Sequence, residues 1–112
     1  MTGRFLAEFE LYVTLAVSRL GDDAYGASIL REIEERTGRP VSIGALYATL
    51  ARLEDKGLVR VTASDPEPGQ RGRPRKYCRL TARGEEYARH SAHMLQRMME
   101  GAPLVGPVEE KP

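Results

Sequence analysis

Three helical stretches, two short strands joined through a glycine- and proline-rich arginine loop, and a fourth helical stretch predict a mainly α fold with one small β-hairpin. That is the order of a winged helix-turn-helix. Two observations carry the prediction. Apolar residues recur at spacings of three, four and three at Ile43, Leu46, Leu50 and Leu53. The loop Pro68-Gly69-Gln70-Arg71-Gly72-Arg73-Pro74-Arg75-Lys76-Tyr77 follows, with no acidic residue between Glu67 and Glu85.

Residues 5–20 place Leu6, Phe9, Val13, Ala16, Val17 and Leu20 at helical spacing, and Phe5, Leu11, Tyr12 and Leu15 widen the stripe. A helix apolar over so much of its girth has one face for its own core and a remainder for a partner. Gly21, Asp22 and Asp23 end it and offer an N-cap to a second helix over about 24–37, with Ile29, Leu30 and Ile33 inward. Gly38 stands at a C-cap position and Pro40 blocks continuation. Ser42 caps the third helix, which turns Ile43, Leu46, Leu50 and Leu53 to the core and Ala45, Ala48, Thr49 and Arg52 outward.

Gly57 closes that helix, and residues 58–62 have the β-branched content of a strand, with 75–80 as antiparallel partner. The connection, roughly 63–74, exceeds the ~2–5 residues of an ordinary hairpin loop, a length associated with function. Thr81 caps a last helix in which Tyr87, Ser91, Met94 and Met98 form a short heptad-like seam, flanked by Leu95 and Met99. Three parts are expected: a winged unit over 1–80, a helix over 81–100, and a disordered tail over 101–112 that is rich in helix breakers.

The 112 residues, 41 % hydrophobic, suit a single modest core. A net charge of +1 looks too neutral for a nucleic-acid binder until the distribution is considered. Residues 64–84 hold Arg71, Arg73, Arg75, Lys76, Arg79 and Arg83 against Asp65 and Glu67, a net +4 that acidic residues elsewhere offset. Clustering is the signal, since arginine outnumbers lysine 14 to 3 throughout the chain.

The single cysteine, Cys78, has no disulfide partner in the chain and reads as a buried strand residue in a reducing compartment. His90 and His93 lack a nearby third ligand, so no metal site and no cofactor are expected. No secretory signal or membrane-length apolar run occurs, and the expectation is a cytoplasmic, nucleoid-associated protein with no membrane partner. No phosphate-loop motif or nucleophile grouping points to an enzyme.

A recognition helix enters the major groove by its N-terminal part, and small residues on its outer face let the backbone approach closely. Ser42, Gly44, Ala45, Ala48 and Thr49 meet that requirement. Ser42 and Thr49 carry hydroxyls for a base edge or a phosphate, the alanine methyls suit thymine methyls, and Arg52 suits a phosphate. Arg71, Arg73, Arg75 and Lys76 on the wing add phosphate or minor-groove contacts, and Tyr47 and Tyr77 have hydroxyls for phosphates. Double-stranded DNA is the expected partner, and the competing reading is a winged helix whose arginines bind an acidic protein.

Several stretches in order resemble the PadR family of bacterial transcriptional regulators over roughly residues 11–87. They are Tyr25-Gly26, Leu30-Arg31-Glu32-Ile33-Glu34-Glu35-Arg36-Thr37-Gly38, Leu46-Tyr47 with Leu50, Arg52-Leu53-Glu54, and Lys56-Gly57-Leu58-Val59. The last is Gly72-Arg73-Pro74-Arg75-Lys76-Tyr77-Cys78-Arg79-Leu80-Thr81 with Gly84. The chain departs from the pattern at Ile43, where members often have proline, and at Cys78, where they often have a second tyrosine.

The resemblance implies a homodimeric repressor of the compact subgroup, joined through its first and last helices and acting on a palindromic operator. The surplus apolar faces read above agree with that, and the residues expected at the interface are Phe5, Phe9, Tyr12, Tyr87, Ser91, Met94, Leu95 and Met98. A small-molecule effector lodged among Phe5, Phe9, Met94, Met98 and Met99 is the alternative use of the methionine-rich surface.

Overall fold

The computed structural model describes residues 5–63 and 75–106. The elements run α1 (Glu8–Leu20), a 3-10 turn (Gly21–Asp23), α2 (Gly26–Thr37), α3 (Ile43–Asp55), β1 (Val59–Ala63), β2 (Lys76–Leu80), α4 (Ala82–Met99) and a second 3-10 turn (Pro103–Val105). Val13, Ile29, Leu46, Leu53 and Leu58 are wholly buried at the centre, one from each of α1, α2 and β1's approach and two from α3. Burial of side chains of this size contributes about 1.5–3 kcal/mol each.

α1 starts three residues later than the apolar spacing predicts. The Glu10 carboxylate accepts from the Ala7 backbone N–H at 3.1 Å, closing the first turn there, and the Leu6 N–H is held by Ser91 Oγ at 2.9 Å. α2 also starts later, at Gly26, and its cap is not an aspartate. Tyr25 occupies the N-cap, its N–H donating to Ser28 Oγ, while that hydroxyl donates to the Asp23 carbonyl at 2.6 Å. Gly38 ends α2 in the left-handed region at φ 70°, its N–H reaching the Glu34 carbonyl.

Ser42 caps α3 by accepting from the Ala45 N–H. Two side chains of α3 sit opposite to expectation. Ile43 is exposed, because as the first helical residue it projects from the helix end over α2 rather than into the core. Thr49 is buried, because it lies three residues after Leu46 and four before Leu53, on the inward stripe itself. At the other end Gly57 takes φ 75°, with its N–H on Glu54 O and the Leu58 N–H on Leu53 O, a Schellman motif that turns the chain into β1.

β1 and β2 pair antiparallel in the register Val59 with Leu80 through Ala63 with Lys76, so Val59, Val61, Cys78 and Leu80 share the inner face. The hairpin gains a short third partner: Tyr25 bridges Tyr77, and the Cys78 N–H donates to the Ala24 carbonyl at 2.8 Å. Thr81 caps α4 by accepting from the Gly84 N–H, and its own hydroxyl donates to Gly57 O at 2.7 Å. This ties the last helix to the root of the wing. Within the stretch 101–112, Pro103–Val105 form a 3-10 turn, and residues 107–112 lie outside the described residues.

Candidate nucleic-acid interface

The N-terminal half of α3 presents an open outer surface: Ser42, Gly44, Ala45, Tyr47 and Ala48 are all exposed. Nothing lies within 4 Å of a methyl placed on Gly44, so a large partner can come close to the backbone there. Tyr47 is 43 % exposed and lies across the start of α2; a methyl on Gly26 would meet its hydroxyl oxygen at 2.6 Å. Glycine at position 26 is what lets the tyrosine lie down on α2.

Beside this surface stands the second strand of the wing. Lys76 is exposed, and the exposed Arg75 just before it holds its guanidinium carbon 4.4 Å from the centre of the Tyr25 ring. Tyr25 and Tyr77 meet edge to face at 5.7 Å, leaving Tyr77 half-buried. A cleft of about 520 Å³ separates the two elements, lined by Tyr25, Gly26, Ile43, Tyr47, Arg75 and Lys76. Ile43 and Tyr47 of α3 form one wall and Arg75 and Lys76 the other, so a cationic edge stands beside the N-terminal turn of α3, an arrangement suited to a phosphate backbone. Arg71 and Arg73 lie outside the described residues.

Two residues expected on this surface are placed otherwise. Thr49, 2 % exposed, is turned into the core, where its hydroxyl accepts from Arg52 Nη2 at 2.9 Å, so it presents nothing to a base. Arg52 is itself drawn back toward α1, with its Nε 4.0 Å from Glu10 Oε2. The same carboxylate takes Lys56 Nζ at 3.1 Å. Glu10 thus joins α1 to the end of α3, a role missed in reading α1 as apolar, although its spacing of three before Val13 and seven before Val17 puts it on the buried stripe.

Burial raises the Glu10 pKa, but the Ala7 N–H, the hydrogen bond from Lys56 and the charges of Lys56 and Arg52 outweigh it and hold the carboxyl below its ordinary 4.5. A depressed folded-state pKa stabilises the fold above the unfolded value and ceases to do so as pH falls through the folded one. Glu10→Gln is therefore expected to cost about 1–2 kcal/mol at neutral pH, a modest figure because both cations stand half in water. The loss should shrink below pH 4.5. Urea melts of both proteins across that range check it; parallel stability profiles would refute the assignment.

Elsewhere, burial pushes the Cys78 thiol up to about 11, with the Glu54 charge adding to the effect. That suits a packed strand residue rather than a reactive thiol. Of the residues expected to join two copies, Phe5, Met94, Leu95 and Met98 are exposed, Met98 at 78 %. Phe9, Tyr12 and Tyr87 are half-buried against the core of their own chain. Ser91 is buried with Gly84 and Ala88 on the inward face of α4 and accepts the Leu6 N–H, so it belongs to the protomer and not to a seam.

The chain matches the transcriptional regulator PadR-like family over residues 15–90. Its fold is similar to that of a PadR-like transcription factor from Bacteroides fragilis, with a TM-score of 0.66, 26 % identity, and coverage of 82 % of this chain and 84 % of that one. It is also similar to a PadR family transcriptional regulator from Eggerthella lenta DSM 2243, with a TM-score of 0.64, 28 % identity, and coverage of 83 % and 82 %. A curated relative, an uncharacterized 37.1 kDa protein in transposon TN4556 of Streptomyces fradiae, is 38 % identical over 74 residues. The matched stretch is 66 % of this chain but only 19 % of that relative's length.

Proposed function

The chain belongs to the PadR-like family of transcriptional regulators, and on that premise we propose that it is a homodimeric repressor that binds a palindromic operator. The family is one of regulators rather than enzymes. The observation that carries the DNA reading is the exposed small-residue outer face of α3, Ser42, Gly44, Ala45 and Ala48, on a helix whose Ile43 and Tyr47 line one cleft with Arg75 and Lys76. On this reading α3 enters the major groove, Tyr47 and Tyr77 serve as hydroxyl donors to phosphates, and Arg75 and Lys76 anchor the backbone together with Arg71 and Arg73. Arg52 joins them by exchanging Glu10 for a phosphate.

The dimer reading rests on the exposed apolar residues Met94, Leu95, Met98 and Met99 of α4 with Leu104 and Val105 of the following turn. Met94, Leu95, Met98 and Met99 recur at spacings of three and four along α4, and an exposed apolar helix face of that kind marks an interaction site. Residues 1–80 then act as the winged DNA-binding unit and 81–100 as the joining helix, and an effector would work by changing the geometry between two copies. Two recognition helices related by a two-fold axis reach half-sites ~34–36 Å apart.

Duplex binding measured by fluorescence anisotropy across a salt series tests the reading. Each neutralised phosphate contributes about 0.9 to the slope of log affinity against log salt, so Arg75→Ala and Lys76→Ala should each flatten it by about one unit. Selection from random duplexes should return inverted repeats. Protein that retains no duplex even at low salt would sink the proposal and leave an acidic protein as the partner.

A further inference from the structure

Tyr25 lies on neither of the two elements that the DNA reading uses, yet three separate contacts tie it to the wing. Its backbone pairs with Tyr77, its ring meets the Tyr77 ring edge to face, and Arg75 stacks its guanidinium on the ring. Tyr77 also accepts a hydrogen bond from Arg75, which raises the arginine's pKa. Tyr25 is itself held firmly, since it caps α2 in extended conformation with its N–H bound to Ser28 Oγ.

We propose that Tyr25 is a positioning residue of the DNA interface: its ring holds the Arg75 guanidinium at the edge of the cleft facing α3, ready for a backbone phosphate. The inference rests on the DNA-binding reading above. Arginine on a surface strand samples many rotamers, and an arginine that meets a phosphate loses that freedom on binding. Stacking on a ring fixed to a helix cap takes the loss during folding instead. Arg75 thereby differs from a solvated wing arginine, because its fork is aimed before DNA arrives. A cation-π contact engages the face of a guanidinium, whereas a phosphate is met by the N–H donors at its edge, so one group can serve both.

A double-mutant cycle tests this, with a fluorescein-labelled mixed-sequence duplex at low salt as probe. Tyr25→Leu is expected to weaken binding about fivefold in the wild-type background and by less than about twofold beside Arg75→Ala. Tyr25→Phe, which keeps the ring, should restore affinity. Equal losses in both backgrounds would mean that Tyr25 serves the fold alone and would overturn the proposal, as would full affinity in Tyr25→Leu.

An Arg75→Ala protein that binds as tightly as wild type would instead remove Arg75 from the interface, a failure of the underlying reading distinct from the others. Should Tyr25→Leu fold poorly, the Arg75 Nε–H resonance of the free wild-type protein gives a separate measure. It should be shifted upfield by the ring current in wild type and in Tyr25→Phe; an unshifted resonance in wild type overturns the stacking.

Discussion

Gly84→Ala is expected to destabilise the protein by about 3 kcal/mol and to lower its melting temperature by roughly 10 °C or more. Gly84 lies on the inward face of α4, directly over the carbonyl of Leu58, and a methyl there would stand 2.9 Å from the carbonyl carbon and closer still to its oxygen. Neither side can give way easily. The obstacle is backbone, Leu58 is wholly buried, and its carbonyl already accepts the Thr81 N–H at 3.0 Å.

Relief requires α4 to lift from the root of the wing, which also breaks the Thr81 clamp on Gly57. Gly44→Ala is the matched control, because open space surrounds that position. Calorimetry of the two variants should show a large loss in the first and none in the second. Equal melting temperatures for Gly84→Ala and wild type would refute the close packing of α4 on Leu58.

The second large effect concerns association. On the proposed dimer reading, Met94→Glu combined with Met98→Glu should convert a dimer into a monomer in sedimentation velocity while leaving the monomer fold intact, since both side chains are exposed in the single chain. A carboxylate forced unpaired into an apolar seam costs about 3–5 kcal/mol by analogy with broken buried ion pairs. On the same reading operator affinity should fall by about 100-fold, because the two proposed half-sites would no longer be engaged as one linked event. A double variant that still sediments as a dimer would show that the last helix is not the seam.

Much of the winged unit was legible in the chain because its signals are local. The apolar spacing of α3, the serine that caps it, the Gly57 turn and the threonine before α4 all express backbone geometry that a few neighbouring residues satisfy. The candidate interface was legible in part. Gly44, Ala45 and Ala48 face outward because helical spacing leaves them off the stripe defined by Leu46, Leu50 and Leu53.

The same spacing misassigned Ile43 and Thr49, since each position is decided by what the helix meets at that point, an open end for one and the core for the other. Ser91 reads as part of an apolar seam but is the acceptor for the Leu6 N–H, 85 residues earlier in the chain. Nothing local to either residue announces that pairing.

By itself, then, the sequence determined the fold class, the order of elements, the Ser42 and Thr81 caps and the concentration of positive charge between residues 64 and 84. Each depends on short-range periodicity and on charge count, which need no coordinates. Tertiary structure alone decided that Glu10 holds Arg52 and Lys56, that α4 seats on Leu58 through Gly84, and that Tyr25 underlies Arg75. These contacts join residues tens of positions apart, and their energies come from distance and burial, which no pattern along a chain encodes.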